Sequence, residues 1–266
     1  MISRSAVAAA GVLGLAAGIT TVPAAATEKV AYPEVKVDLA ELFKPDPAFT
    51  QMRKRMLEAV KKKDQAALLG MVGPTFVWTY QGGPVEQFDM GRTPVENFKV
   101  VFGFRQPGAD KDGDVEEGPY WDALQEYAEE SALYQVEEAG NLVCGPLAAG
   151  YADEEQANAA REKVESEEDP AEWYFTIEPT SVMKSPTDKG QPMAKVANVA
   201  MPVLSGYPVA KEGEPAPKVT HIEVLLPSGK SGWVAKDKVR ALVTSRLCYS
   251  KTSSGEWRIS AYDQSE

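Results

Sequence analysis

Thr180-Ser181-Val182-Met183-Lys184-Ser185-Pro186-Thr187, Met193-Ala194-Lys195-Val196, Met201-Pro202-Val203-Leu204 and His221-Ile222-Glu223-Val224-Leu225-Leu226-Pro227-Ser228-Gly229-Lys230-Ser231-Gly232-Trp233-Val234 are the runs that decide the fold of this chain. Each is a short apolar or alternating stretch closed by Pro, Gly or Ser, which is the pattern of short strands joined by turns. Trp173-Tyr174-Phe175-Thr176-Ile177 opens the region, and a loop rich in Pro, Gly and Lys from Tyr207 to Val219 interrupts it. Turn glycines, aromatics and alternation together predict one small β-barrel.

The closing motif, a strand, a Gly turn and then Gly232-Trp233-Val234, resembles that of bacterial SH3-like domains, and the likeness covers residues 172–242. Such domains are adaptors. The resemblance implies a binding role in which an aromatic cleft accepts an extended peptide, with cell-wall peptide or glycan fragments, or an envelope protein, as partners. Among Trp173, Tyr174, Tyr207 and Trp233, the expected contacts are Trp173 and Tyr207, with Lys211 and Lys218 steering an anionic ligand. Trp233 is expected under the barrel.

Upstream the signals are helical. Asp46-Pro47 sets an N-cap before a proline at the first helical position, and Phe49, Met52, Met56, Leu57 and Val60 recur on one face. Lys61-Lys62-Lys63 ends that helix, Asp64 caps a second through Leu69, and Gly73-Pro74 stops it before the strand-like Phe76-Val77-Trp78-Thr79-Tyr80 and a Gly82-Gly83 turn. Thr93-Pro94-Val95-Glu96 is a capping box. Further helices are expected around Trp121, Leu124 and Tyr127 and over 153–167, with a buried strand at Leu142-Val143-Cys144.

Past Leu242, Leu247-Cys248-Tyr249, the turn Ser253-Ser254-Gly255 and Trp257-Arg258-Ile259-Ser260-Ala261-Tyr262 form an alternating hairpin. Two early helices, a Trp-bearing strand and this terminal strand loosely resemble the ends of a cystatin-like, cone-shaped α+β domain. The fold class is therefore α+β: an α+β domain over 27–168 and a barrel over 172–242. Either the barrel is inserted and residues 243–266 complete the first domain, or the two domains are consecutive and the hairpin extends the barrel.

Residues 1–26, with Arg4, an apolar run from Ala6 to Ile19 and Ala24-Ala25-Ala26, read as a signal peptide. That run is too short to span a bilayer, so no membrane span is expected after cleavage. About 240 residues would remain, enough for one or two domains with cores of their own. Cys144 and Cys248 are the chain's two cysteines, and in an oxidising compartment, periplasmic or secreted, an even count favours one disulfide between them.

The formal net charge of −11 argues against nucleic acid. It is unevenly spread: Glu116 to Glu168 holds fifteen acids against Arg161 and Lys163, while Lys184 to Lys251 holds eleven bases against five acids. The acidic run reads as a solvated face; alternatively the basic barrel meets a polyanion or docks on its acidic neighbour.

Chemistry-bearing patterns are weak. Asp110, Asp112 and Asp114 alternate as a calcium loop begins, but Gly113 comes too early and Trp121 stands where a bidentate Glu belongs. One histidine, His221, lies in the barrel, with no Gly-x-Ser-x-Gly elbow in the chain. A Cys-His amidase would need its cysteine and histidine in a catalytic domain of their own, which Cys144 and His221 do not provide. No catalytic residue, metal site or cofactor is assigned, and a non-enzymatic binding or scaffolding protein is expected. The alternative is a small envelope hydrolase or ligand-pocket protein with enclosed carboxylates near Trp78.

Overall fold

The computed structural model describes residues 30–80, 83–84, 88–104, 119–136, 142–165, 171–209 and 217–265. The signal-like residues 1–26, the Asp110, Asp112 and Asp114 run, and Lys211 lie outside them.

The described chain begins with β1 (Val35–Leu39), where Val35 and Val37 are buried and Lys36 and Asp38 exposed, the period of a half-buried strand. In α1 (Pro47–Lys61) the Asp46 carboxylate accepts the Phe49 N–H at 2.7 Å, and Phe49, Met52, Met56, Ala59 and Val60 form the buried stripe. Lys63 takes a left-handed φ of 52° to turn the chain into α2 (Gln65–Leu69), capped by Asp64. β2 (Val72–Tyr80) starts earlier than the sequence predicts. Gly73 and Pro74 are carried within the strand because its pairing shifts register there, and a Cβ at Gly73 would lie 3.2 Å from both Arg258 Cβ and Ser260 Oγ.

β3 (Gly83–Pro84) follows. The capping box of α3 (Pro94–Val101) is complete: Glu96 N–H donates to Thr93 Oγ1, and the Thr93 N–H donates to Glu96 Oε2 at 2.7 Å. Then come α4 (Trp121–Glu129), β4 (Tyr134–Val136), β5 (Leu142–Gly145), β6 (Ala149–Tyr151) and α5 (Glu154–Val164). The barrel-like region holds β7 (Trp173–Thr176), β8 (Thr180–Val182), β9 (Ala194–Val196), β10 (Val199–Tyr207), β11 (His221–Leu225), β12 (Ser231–Ala235), a 3-10 turn (Lys236–Lys238) and β13 (Val239–Ala241). β14 (Arg246–Lys251) and β15 (Trp257–Gln264) end it.

Among the described residues one sheet has the order β3-β2-β15-β14-β5-β4. Its centre is the terminal hairpin, with β15 parallel to β2 and β14 antiparallel to β5. α1, α3 and α4 cover one face, and Leu247, Tyr249, Trp257 and Ile259 join Phe49, Met56, Phe98 and Leu124 in one core. Cys144 and Cys248 are direct cross-strand partners, bonded to each other with Cα atoms 4.0 Å apart.

The chain leaves this sheet after β5 and returns at β14. Between them β12-β11-β10 form a meander, β7 pairs both β10 and β13, and β8 pairs β9. β1, which the domain boundaries place with the N-terminal unit, lies antiparallel between β10 and β6. Tyr32, Val35 and Val37 therefore share a core with Trp173, Phe175, Leu225 and the α5 alanines Ala157 and Ala160. Each fully buried valine stabilises this junction by at most about 1.5–3 kcal/mol. Among the described residues no helix is long and apolar enough to cross a membrane.

Candidate functional site: the outer face of the β10–β12 meander

The Gly-Trp-Val motif has a steric explanation. Ile222, Val224 and Val234 are buried in one core with Val182 and Met201, and Gly232 faces inward with them. A Cβ on Gly232 would sit 2.4 Å from Val182 Cγ1 and 2.8 Å from the Met193 sulfur, so only glycine lets β8 close over β12. Closure is made by reciprocal Met183–Trp233 backbone bonds of 2.8 Å. Strand alternation then turns Trp233 to the opposite, solvent side.

That outer face carries two cross-strand rows. Ser205, Glu223 and Trp233 are register partners in one; Tyr207, His221 and Ala235 are partners in the other. Tyr207 is 36% exposed and meets half-buried Trp233 edge to face, centroids 6.1 Å apart at 83°. Ser205 Oγ donates to Glu223 Oε2 at 3.0 Å, and Thr220 Oγ1 lies 3.1 Å from His221 Nδ1. The face thus combines aromatic area with polar neighbours. The Thr220 hydroxyl beside His221 also lies 3.3 Å from the Tyr207 carbonyl, and Cys144 is in the disulfide.

Trp173 requires a correction. It is 4% exposed, donates its indole N–H to the Glu165 carboxylate and packs edge to face on Tyr32, centroids 5.7 Å apart. It is part of the junction core and presents no face to a ligand. Trp233, expected inside, takes the outward place instead. Counting strand parity from the inward Ile222 and Val224 would have found it, because a register partner of Glu223 must point outward with it.

Lys218 is 83% exposed along its side chain, but its ammonium is 2.9 Å from Glu129 Oε2 at the end of α4. That contact raises the Lys218 pKa and lowers that of Glu129. Arg240 of β13 grips Glu130 with two bonds of 2.8 and 2.6 Å in a largely buried pair. Lys236 donates to the Tyr174 hydroxyl at 2.9 Å, and burial lowers the lysine's pKa. Two of these bases, Lys218 and Arg240, thus face the C-terminal end of α4. Lys184, Lys189, Lys195 and Lys230 are exposed and have no ion-pair partner among the described residues.

No family model, curated protein or solved structure matches this chain.

In the helical half Arg53 is only partly satisfied: its Nε and Nη1 are buried without a hydrogen-bond partner among the described residues. Arg53 Nη2 donates to the carbonyls of Tyr127, Ala128 and Glu130 at 2.6–2.9 Å and so closes the C-terminus of α4. Asn97 donates to the Asp89 carbonyl at 3.0 Å. Near Trp78, Asp263 accepts the Thr79 hydroxyl at 2.7 Å, and the Trp78 indole N–H donates to Gln264. Among the described residues no group of three or more His, Cys, Asp or Glu is placed to hold a metal ion.

Proposed function

We propose that this is an exported, periplasmic or secreted, non-enzymatic binding protein of the cell envelope, in which residues 172–242, completed by β1, act as an SH3-like barrel that holds a cell-wall peptide or an envelope protein. The observation that carries this reading is the outward Tyr207–Trp233 pair beside His221, on a surface whose inward partners are all committed to packing. β8 closing over β12 around Gly232 supports the barrel likeness. The disulfide fits an oxidising compartment, and the return of the chain at β14 supports an inserted barrel.

The ligand-pocket alternative calls for an uncommitted polar cluster inside the helical unit. The partners of Asn97 and Asp263 support the adaptor, whereas Arg53 Nε and Nη1, buried without a partner among the described residues, favour the alternative.

The test is co-sedimentation of the mature chain with purified cell-wall sacculi, and titration with soluble stem-peptide fragments, at low and physiological salt. Binding in the micromolar to millimolar range is expected, weakened about tenfold or more in a Tyr207→Ala/Trp233→Ala variant. No binding at either salt, or binding unchanged in that variant, overturns the assignment.

A further inference from the structure

A second surface lies on the helical half, away from the barrel strands. An open groove of about 380 Å³ is bounded by the last turns of α1, by α2, by the Gly70–Met71 turn and by the start of β15. Its floor is apolar and small: Ala59, Ala66, Ala67 and Met71. Its rim holds Arg55, Lys62 and Arg258 and one uncommitted carboxylate, Glu58. Arg258 is already engaged, donating to the Gly70 carbonyl at 2.8 Å and to Glu256 at 2.6 Å. Asp64, also on the rim, is used in capping α2. Arg55, Glu58 and Lys62 have no ion-pair partner among the described residues.

Arg55 and Lys62, two cations unpaired among the described residues, stand beside a free carboxylate over a methyl-bearing lining and fit a ligand carrying both signs of charge. We infer that this groove binds a short peptide by its free C-terminal carboxylate: Arg55 and Lys62 take the carboxylate, Arg258 stays on Glu256 and Gly70 at the edge, the alanine and methionine lining takes a small apolar side chain, and Glu58 faces the ligand's ammonium. A polyanion fits less well. It would meet Glu58, and beyond the roughly 8 Å reach of local charges at physiological salt it would meet the field of a chain of net charge −11. The volume lies in the range of small-ligand sites.

The probes are the tripeptide Ala-Ala-Ala as free acid, its C-terminal amide and its N-acetyl form, titrated into the isotope-labelled full mature chain and followed by amide chemical shifts. Saturable shifts at residues 55–71 and 258 are expected with the free acid, with an affinity on the order of millimolar. The amide should bind about tenfold more weakly, as should the free acid to an Arg55→Gln/Lys62→Gln variant. Glu58→Gln should weaken the free-amine tripeptide several-fold and leave the acetylated one unchanged. Tyr207→Ala/Trp233→Ala should bind the tripeptide like the parent, which separates this site from the barrel. Equal binding of acid and amide, shifts that do not localise to the groove, or loss of them in the barrel variant overturns the inference.

Discussion

Asp46 shows how much one residue can hold together. Its carboxylate caps α1 through the Phe49 amide, accepts the Trp257 indole N–H at 3.2 Å and lies 2.8 Å from the Lys251 ammonium, so it ties the first helix to the terminal hairpin. The Lys251 hydrogen bond, then the Phe49 amide, lower its pKa from 3.8 to about 2. A carboxylate with a depressed folded pKa contributes stability that is present above the unfolded value and is lost as pH falls through the folded one. Asp46→Asn keeps a side chain able to cap but removes the charge. The variant should melt below the parent from neutral pH down to about 4, and the gap should close as pH falls to about 2. Thermal melts across that range check this, and a gap that persists at pH 2 would mean the charge is not its source. The Gly-Trp-Val motif was legible in the sequence, whereas the contact that demands its glycine, with Val182 and Met193, arises only where β8 lies over β12.

At the scale of elements, β1 is the strand with the longest consequences. No strand is expected from the sequence at this place; Val35 and Val37 lie in and Lys36 and Asp38 out, and a single five-residue alternation carries no information about which edge it will join. It joins β10 on one side and β6 on the other, which makes the sheet over 172–242 depend on residues more than 130 positions upstream. Residues 172–242 expressed alone would expose Trp173, Phe175, Ala200 and Leu225, the side of the junction core that β1, Tyr32 and α5 now cover. Such a fragment should lack a dispersed amide spectrum and should aggregate through the bare β10 edge. Extending the fragment cannot be done by a simple N-terminal addition, because β1 is remote in sequence; a circular permutant that places residues 30–40 after Leu242 through a flexible linker should restore dispersion. A well-dispersed spectrum from 172–242 alone would show that the junction is dispensable.

Across the whole molecule, the disulfide closes a loop of 104 positions at the point where the chain leaves one sheet and returns to it. In the chain-entropy account a loop of this length is worth about 4 to 5 kcal/mol, acting mainly on the unfolded state. Cys144→Ser/Cys248→Ser should lower the free energy of urea unfolding by about 2 to 5 kcal/mol while leaving the β14–β5 ladder in place. A loss below about 1 kcal/mol would mean that the paired strands alone already constrain the junction. The Arg240–Glu130 and Lys218–Glu129 contacts add a second clasp between the barrel strands and α4, one largely buried and one exposed. The exposed pair is expected to add little, since surface ion pairs of this kind are commonly worth under about 1 kcal/mol.

Short-range pattern was sufficient for a definite part of this protein. The caps at Asp46 and at Thr93–Glu96, the buried stripe of α1, the run of short strands after residue 172 and the terminal hairpin all rest on contacts within a few residues, and periodicity encodes these directly. The cysteine pair was legible because two thiols in an oxidising setting leave one pairing. Strand neighbours were a different matter. That β15 runs parallel to β2, that β1 lies between β10 and β6, that Trp173 is inside and Trp233 outside, and that Lys218 meets Glu129 all depend on segments brought together from far apart in the chain. Many pairings of amphipathic strands bury similar apolar area locally, so only the simultaneous packing of the cores selects one, and with it the aromatic face that remains exposed.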